Sequence, residues 1–451
     1  MNSWLSWNLV RAPHGPPSIG SLRVYEGRKH ALLPVYKAAE AIGQTTTESN
    51  DWRILWSYRT PWQFDTLKRR RAGSLFPEEA LSVPPAFLLN HLPATLSLAS
   101  KAHLIAFAGA LRDADPHSFG PGLLPESYLL PERMQTFSHA LQARGAVDGV
   151  GFPRWIAKSK EHRGVRVLTN SSTAALAALG SALVQERVRP LILPGLGRSF
   201  DVGLYVLVTS VRPLRVWSFG LSLVRFCEGE YPRAPADFSV LSRYVIKEYT
   251  PIWKLPRFAS ALAACNQSAF CALRRELRNA GYDDAYLTRS MHKMATALIG
   301  ALRPRMFAAF RRLRLRSDAT FEVFRFDFMV DAWARAILTE VNISPNLVAA
   351  HPIDGEVKLR LLRDTLTIAK QRLLPTETLP QLRGVHCSEG CCKLASTVRA
   401  VGGGSIGVRR AGWSGRVVRW CGRVVRWCGR AASWSGRVVR WCGRVVRWCG
   451  R

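Results

Sequence analysis

The clearest hydrophobic pattern along the chain is a pair of apolar runs, 322–330 and 336–342, separated by a short polar segment. Each has the length of a strand and falls short of an ordinary helix. A third run, 202–210, is rich in Val, Leu and Tyr and reads as a buried strand. Further strands are predicted at 125–131, bracketed by prolines, and at 155–158, 165–168 and 215–219. Helical patterns cover 104–111, with Ser97 and Ser100 as candidate caps, the small-residue run 173–184, the Ala-, Leu- and Arg-rich stretch 257–315, and 355–372. Strands and helices interleave, so the expected fold class is mixed α/β (α+β), not all-helical. Residues 1 to about 80 lack a clear period and read as a loosely ordered basic lead-in containing Lys68-Arg69-Arg70-Arg71.

The pattern changes after Leu374. Gly402-Gly403-Gly404-Ser405 has the composition of a flexible linker. Beyond it tryptophan recurs every seven residues, at 413, 420, 427, 434, 441 and 448, in the unit Gly-Arg-Val-Val-Arg-Trp-Cys. A coiled coil needs two apolar stripes on an uninterrupted helix, and each unit carries a glycine that costs about 1 kcal/mol there. The segment is therefore expected to be a low-complexity tail, its functional alternative being an arginine–tryptophan surface for polyanions or membranes. The 451 residues divide, on this reading, into a divergent N-terminal region (1–89), two folded regions (90–188 and 189–375) and the tail (376–451).

Charge narrows the partners. A net +32 attracts nucleic acid, acidic membrane surfaces or acidic protein segments without choosing among them. Neither a secretory signal at the N-terminus nor a membrane-spanning run is expected, the most apolar stretch, 174–184, being too short to span a bilayer. The ten cysteines show no spacing of a disulfide scaffold, so a reducing cytoplasmic setting is expected. His386-Cys387 with Cys391-Cys392 lacks the paired Cys-x-x-Cys units of a structural zinc site.

The candidate chemistry lies in the paired runs. Asp327 interrupts the first, and Glu340 and Asn342, two apart, share a face of the second. With a turn near Trp333 and Ala334, Asp327 falls opposite Glu340. Two facing carboxylates repel unless a cation lies between them. Mg2+ takes one or two carboxylates and leaves positions for substrate phosphates, and the amide oxygen of Asn342 suits the same shell. An ordinary polar strand face is the plainer alternative, and the residues alone do not decide between the two.

Several segments together resemble one family. Glu340-Val341-Asn342-Ile343-Ser344-Pro345-Asn346-Leu347, with Phe326-Asp327 before it, is similar to a motif of the tubulin–tyrosine ligase-like family. So are Asn90-His91-Leu92-Pro93, Leu124-Pro125-Glu126-Ser127-Tyr128, Trp155-Ile156-Ala157-Lys158 and Phe200-Asp201-Val202-Gly203-Leu204-Tyr205. Pro352-Ile353-Asp354, with Lys358 and Asp364, resembles the polyglutamylase branch. The resemblance implies an ATP-grasp fold with N-terminal, central and C-terminal lobes, binding ATP and Mg2+. It implies Lys158 at a phosphate, Gln185 and Val188 at the adenine edge, Asp201 on the nucleotide side, and Asp327, Glu340 and Asn342 around the metal. It implies addition of glutamate, or another amino acid, to acidic tubulin tails through an acyl phosphate, in the cytoplasm, the cytoskeleton, or a cilium or basal body. The basic runs at 303–305 and 311–316 are candidate contacts for such tails.

The chain also departs from that pattern. Gly203 stands where an arginine is expected, Ser199 beside Arg198 where a lysine is expected, and Ser242-Arg243-Tyr244 and Gly220-Leu221-Ser222 replace two further motifs. The oxygen-donor set is kept while the guanidinium is lost, with Arg198 and Arg243 as candidate substitutes and the catalytic residue unassigned. Two readings follow: an ATP-dependent tubulin glutamate ligase, or a catalytically impaired ATP- and microtubule-binding relative. Nucleic-acid binding through the tail is a third, less favoured reading.

Overall fold

The structure, a computed structural model, describes residues 21–25, 29–48, 52–58, 87–116, 119, 122–159, 164–169, 179–246, 248–373, 417–420 and 423–426. The chain divides into two compact units, Met1–Val398 and Arg399–Arg451. The basic run 68–71, the linker 402–405 and the His/Cys cluster at 386–392 lie outside the described residues.

In the first unit the chain begins with β1 (Leu22–Tyr25), α1 (Lys29–Ala41), β2 (Ile54–Ser57), β3 (Leu88–Asn90), α2 (Leu96–Ala99) and α3 (Lys101–Ala114). Then come β4 (Ser127–Leu129), α4 (Met134–Arg144), β5 (Trp155–Ser159), β6 (Val165–Leu168) and β7 (Ala182–Glu186). They are followed by β8 (Phe200–Val211), β9 (Leu214–Ser218), β10 (Leu223–Phe226) and β11 (Thr250–Pro251). The last elements are α5 (Ala259–Ala264), α6 (Ala269–Asn279), α7 (Asp284–Leu313), β12 (Thr320–Val330), β13 (Ala336–Asn342) and α8 (Pro352–Gln371). The mixed α/β class is as expected.

Two sheets organise these elements. The larger runs β1-β2-β3-β12-β8-β10-β11, with β13 added to β12 and β9 to β8. Its spine is the antiparallel pair β8–β12, twelve and eleven residues long, registered from Glu322 opposite Val208 to Met329 opposite Asp201. Both strands are covered on both faces, which is why they read as nearly continuous apolar runs. One face carries Val202, Leu204, Val206, Phe324, Phe326 and Phe328, packed with Leu273 and Leu277 of α6 and Leu287, Met291 and Leu298 of α7. The other carries Tyr205, Leu207, Phe321 and Val323, packed with Leu32 and Val35 of α1 and Leu362 and Leu366 of α8. Each such side chain contributes about 1.5–3 kcal/mol when fully buried. Further along that second face, at 201, 203, 325 and 327, the residues turn from apolar to charged or small.

The smaller sheet, β4-β7-β5-β6, has its own core. Tyr128, Phe137 and Trp155 meet there with ring centroids 5.3–5.9 Å apart. In the second unit the tail forms a two-stranded antiparallel ribbon, β14 (Val417–Trp420) with β15 (Arg423–Arg426).

Four expectations are corrected. The N-terminal lead-in is structured at 22–25, 29–48 and 52–57, where β1 and β2 extend the large sheet in parallel. Strands of four residues are too short to display a period, and burial of Leu22, Trp52 and Ile54 specifies them instead. The helix expected over 173–184 gives way to strand β7 from Ala182, because Ala182, Leu183 and Val184 sit between β4 and β5. Ser97 lies inside α2, leaving only Ser100 at the start of α3. Cys265 and Cys271, six residues apart, form a disulfide across the junction of α5 and α6. No helix among the described residues is long and apolar enough to cross a membrane.

Candidate functional site

The site is built on four adjacent strands, β13-β12-β8-β10. Asp327 lies opposite Glu340 on one side and Gly203 on the other. Arg325 lies opposite Asn342 and Tyr205, and Asp201 opposite Arg225. Directly opposed residues of an antiparallel pair share a face, as do residues two apart. All eight positions therefore fall on one face of the sheet.

The pairing of Asp327 with Glu340 depends on a bulge. The turn at 331–335, tied by Asp331 Oδ1 accepting from the backbone N–H groups of Trp333 and Arg335, sets Val330 opposite Ala336 and Phe328 opposite Leu338. Continued regularly, that register would give Asp327 the partner Thr339. Instead the ladder shifts between Asp327 and Phe328, Thr339 becomes the extra residue, and its hydroxyl donates to the Asp327 carbonyl at 2.9 Å. A bulge of this kind re-aims the side chains beside it.

The side chains converge. Asn342 Nδ2 lies 3.2 Å from Asp327 Oδ2 and 3.4 Å from Glu340 Oε1, so one amide bridges both carboxylates. Arg325 donates to both oxygens of Asp327, at 2.7 and 2.8 Å. Arg225 does the same to Asp201, at 2.8 and 2.6 Å, and its Nη2 also lies 3.2 Å from Asp327 Oδ2. Glu340 Oε2 faces Lys101 Nζ at 3.4 Å, from the first residue of α3. Beside the cluster, fully buried Tyr205 has a hydroxyl with no partner among the described residues.

Ionisation follows from these neighbours. Burial acts to raise the Glu340 pKa, but Lys101, hydrogen bonding with Asp327 and Asn342, and Arg325 overcome it and bring it down to about 2. Burial opposes charge on Arg225 and Arg325, and the facing aspartates more than offset it, holding both above the ordinary arginine value. Burial, with Asp327 adding to it and Arg225 opposing it, raises Asp201 to about 6. The face thus presents positive and negative groups side by side.

The smaller sheet contributes Lys158 from β5 and Gln185 from β7. Lys158 Nζ donates to Gln185 Oε1 at 2.7 Å, and Gln185 Nε2 donates to Ser127 Oγ at 2.9 Å. Burial, reinforced by the like charge of Lys101 and opposed by Glu340, pushes Lys158 down to about 8. Lys158 is therefore within electrostatic reach of the strand-face cluster. Half-buried Val188 lies just beyond β7. A cavity of about 510 Å3, lined by α3 and residues 122–129, reaches these groups only through Ser127.

Other candidates fall elsewhere. Arg198 is committed to the Cys227 carbonyl and Thr250, and Arg243 to Asp237, so neither supplies a guanidinium at Gly203. Arg187, between Gln185 and Val188, is buried against Asp148, Tyr231 and the Pro153 carbonyl. The run 311–316 is not one solvent-facing strip: Arg316 is buried and doubly bonded to Asp318, while Arg311 and Arg312 are exposed. Arg225, Arg325 and Lys101 were not singled out by the sequence pattern. The available signal was a lone cation inside short apolar runs, Leu223–Phe226 and Thr320–Val330.

Among the described residues no three His, Cys, Asp or Glu side chains are grouped to hold a metal ion. A cation here would rest on two carboxylates and one amide. The amide already lies within reach of both carboxylates, and a half turn about its last torsion exchanges nitrogen for oxygen. That all-oxygen donor set suits a hard divalent ion such as Mg2+.

Fold and site together define a mixed α/β protein whose longest strands carry a buried, charge-balanced cluster. The chain belongs to the Tubulin-tyrosine ligase family, whose sequence pattern matches residues 80–379. It is 26% identical over 307 residues to the probable tubulin polyglutamylase ttll-15 of Caenorhabditis elegans, covering 66% of this chain and 53% of that protein. It is 25% identical over 342 residues to the human tubulin polyglutamylase TTLL5, covering 73% of this chain and 24% of that protein. With the human tubulin monoglutamylase TTLL4 it shares 25% identity over 318 residues, 68% of this chain and 25% of the relative. The chain thus spans about half the length of the first relative and about a quarter of the other two.

Proposed function

We propose that the chain is an ATP-dependent ligase that joins glutamate, or a similar amino acid, to the acidic tails of tubulin. The observation carrying this reading is the single strand face on which Asp327, Glu340 and Asn342 converge beside two guanidiniums, with Lys158 in electrostatic reach. In this reading the fold is an ATP-grasp fold whose small sheet and large sheet hold the nucleotide between them. Lys158 donates to phosphate oxygens, Gln185 and Val188 border the adenine, and Asp201 orients Arg225 on the nucleotide side. Asp327, Glu340 and Asn342 would hold Mg2+, which when bound draws charge from the phosphate oxygens.

The reaction runs in two steps. A carboxylate oxygen attacks the γ-phosphorus, the bond to the ADP oxygen breaks, and an acyl phosphate and ADP result. The amine nitrogen of the second reactant then attacks the acyl carbon, forming the amide and releasing phosphate and a proton. Positioning and charge neutralisation by fixed donors provide most of the catalysis in such transfers. The basic surface would steer an acidic tail, placing the protein with tubulin in the cytoplasm and cytoskeleton, or in a cilium or basal body.

A second reading, a nucleotide- and microtubule-binding relative that does not ligate, is favoured by the missing side chain at Gly203. One assay separates the two: radiolabelled glutamate incorporation into microtubules, with and without MgATP. The ligase reading expects incorporation that requires MgATP and is lost in Glu340→Gln. Glutamine keeps the size of Glu340 and its acceptor for Asn342 while losing the charge that faces Lys101, so thermal unfolding of the variant is the fold control. A cooperatively folded wild-type protein that binds MgATP but incorporates no amino acid overturns the ligase reading in favour of the second.

A further inference from the structure

Gly203 has an ordinary strand conformation, so the absence of a side chain there is not demanded by backbone geometry. What the glycine supplies is room. A β-carbon at 203 would lie 3.1 Å from Arg325 Cδ, 3.5 Å from Arg325 Cγ and 3.3 Å from Asp327 Oδ1. The side chain of Arg325 crosses from β12 and lies over the β8 backbone, in the space that a residue at 203 would fill. Its guanidinium is buried and spends Nε and Nη2 on Asp327. Its Nη1 has no partner among the described residues, and the same is true of Arg225 Nη1. The unpartnered hydroxyl of buried Tyr205, the register partner of Arg325, belongs to the same face. Two guanidiniums held rigid by carboxylates, each with an unspent donor edge, on the strand face that also carries an orphaned hydroxyl, form a prepared receptor for an oxyanion.

We propose that Arg325 is the oxyanion-binding guanidinium of this site, supplied from β12 across the gap left by Gly203, with Arg225 as its neighbour. The arginine expected at 203 is thus relocated, not lost, and positions 203 and 325 form one coupled unit that accommodates a single large side chain. The proposal rests on the ligase reading and deepens it by naming the residue that meets the transferring phosphoryl group or the reacting carboxylate.

The test is a reciprocal exchange scored by glutamate incorporation, with thermal unfolding of each variant as a fold control. Arg325→Gly is expected to lower kcat/KM by about 100-fold, the scale of losing one preorganised donor to developing charge. A KM rise for ATP assigns the guanidinium to the phosphoryl group, and one for glutamate or the tail peptide assigns it to a carboxylate. Gly203→Arg alone is overpacked and is expected to lose both activity and melting temperature. The double variant Gly203→Arg/Arg325→Gly is expected to regain activity to within about 10-fold of wild type. The readout that a purely structural arginine would not give is a raised KM in Arg325→Gly at an unchanged melting temperature. If Arg325→Gly folds and incorporates glutamate with wild-type kcat and KM, the assignment is overturned while the ligase reading stands. If Arg325→Gly melts early, the double variant decides: a refolded but inactive double variant overturns the assignment. Absence of incorporation by folded wild-type protein removes the ligase reading itself, and the assignment with it.

Discussion

At the scale of single residues, the most informative group is Lys158. Its ammonium is pushed down to about 8 by burial, with Lys101 adding to the effect and Glu340 resisting it. Below that pH the group is charged and able to donate to a phosphate; above it the charge is lost. If Lys158 meets phosphate, kcat/KM for ATP declines as pH rises through about 8, because kcat/KM reports the free enzyme. A bound phosphate favours the charged form, so kcat holds to higher pH. Lys158→Arg keeps its charge throughout and should flatten the profile. The check is a pH–rate series on both proteins; a wild-type profile level from about pH 7 to about 9 would exclude a phosphate role for this lysine. Removing the Asp327 carboxylate would leave Arg325 and Arg225 without their shared partner, at about 3–5 kcal/mol.

At the scale of elements, the polar knot under β2, β3 and β12 shows how strands too short to specify themselves are held. Asn90 accepts from the Ser57 backbone N–H at 2.7 Å and donates to its carbonyl at 2.7 Å. His91 Nδ1 faces Glu322 Oε1 at 3.0 Å, and Nε2 faces the Ser57 carbonyl at 3.0 Å. Nδ1 thus meets a carboxylate, while Nε2 lies between the Ser57 carbonyl and the Asn90 amide nitrogen at 3.2 Å. Burial opposes charge on the ring, but Glu322 and the Ser57 carbonyl outweigh it and raise the pKa above 6.5. A raised histidine stabilises the fold fully below the unfolded pKa and loses that contribution as pH rises through the folded pKa. The gap in melting temperature between wild type and His91→Asn should be widest below about pH 6.5 and should narrow on the alkaline side. Asn is the fitting replacement, because His91 sits at φ 76°, a left-handed conformation that asparagine tolerates. A gap independent of pH would show that the ring stays neutral. None of this knot was legible in the sequence, since its partners are 33 to 231 residues apart. The long strands were legible because burial on both faces forces continuous apolar runs, and so was the facing of Asp327 and Glu340. The bulge at Thr339, which creates that facing, leaves no mark in a period-two pattern. Arg225 and Arg325 were overlooked because a cation inside an apolar strand has meaning only once its facing carboxylate is known.

At the scale of the whole molecule, the question is where the positive charge acts. Residues 399–451 hold thirteen arginines and no acidic residue, against a net +32 for the chain. They form a compact unit separate from Met1–Val398, and the family pattern ends at residue 379, before that unit begins. The strand-face cluster lies wholly in the first unit and is close to charge balance, so it cannot provide long-range attraction for an acidic tail. On the ligase reading that attraction would fall to exposed arginines such as Arg311 and Arg312 on α7, or to the repeat. Exposed charges separated by more than about 10 Å are screened at 0.1 M salt, so the two sources can be told apart by titrating salt. Removing residues 399–451 should leave the melting temperature of the remaining unit within a degree or two and preserve MgATP-dependent incorporation at low salt. Microtubule binding should weaken and become less steeply salt-dependent, in proportion to the arginines removed. Microtubule co-sedimentation and incorporation, measured on both chain lengths across a salt series, give the comparison. Lost incorporation with retained folding would make the repeat part of substrate capture, whereas an unchanged salt dependence would assign the attraction to the folded unit alone.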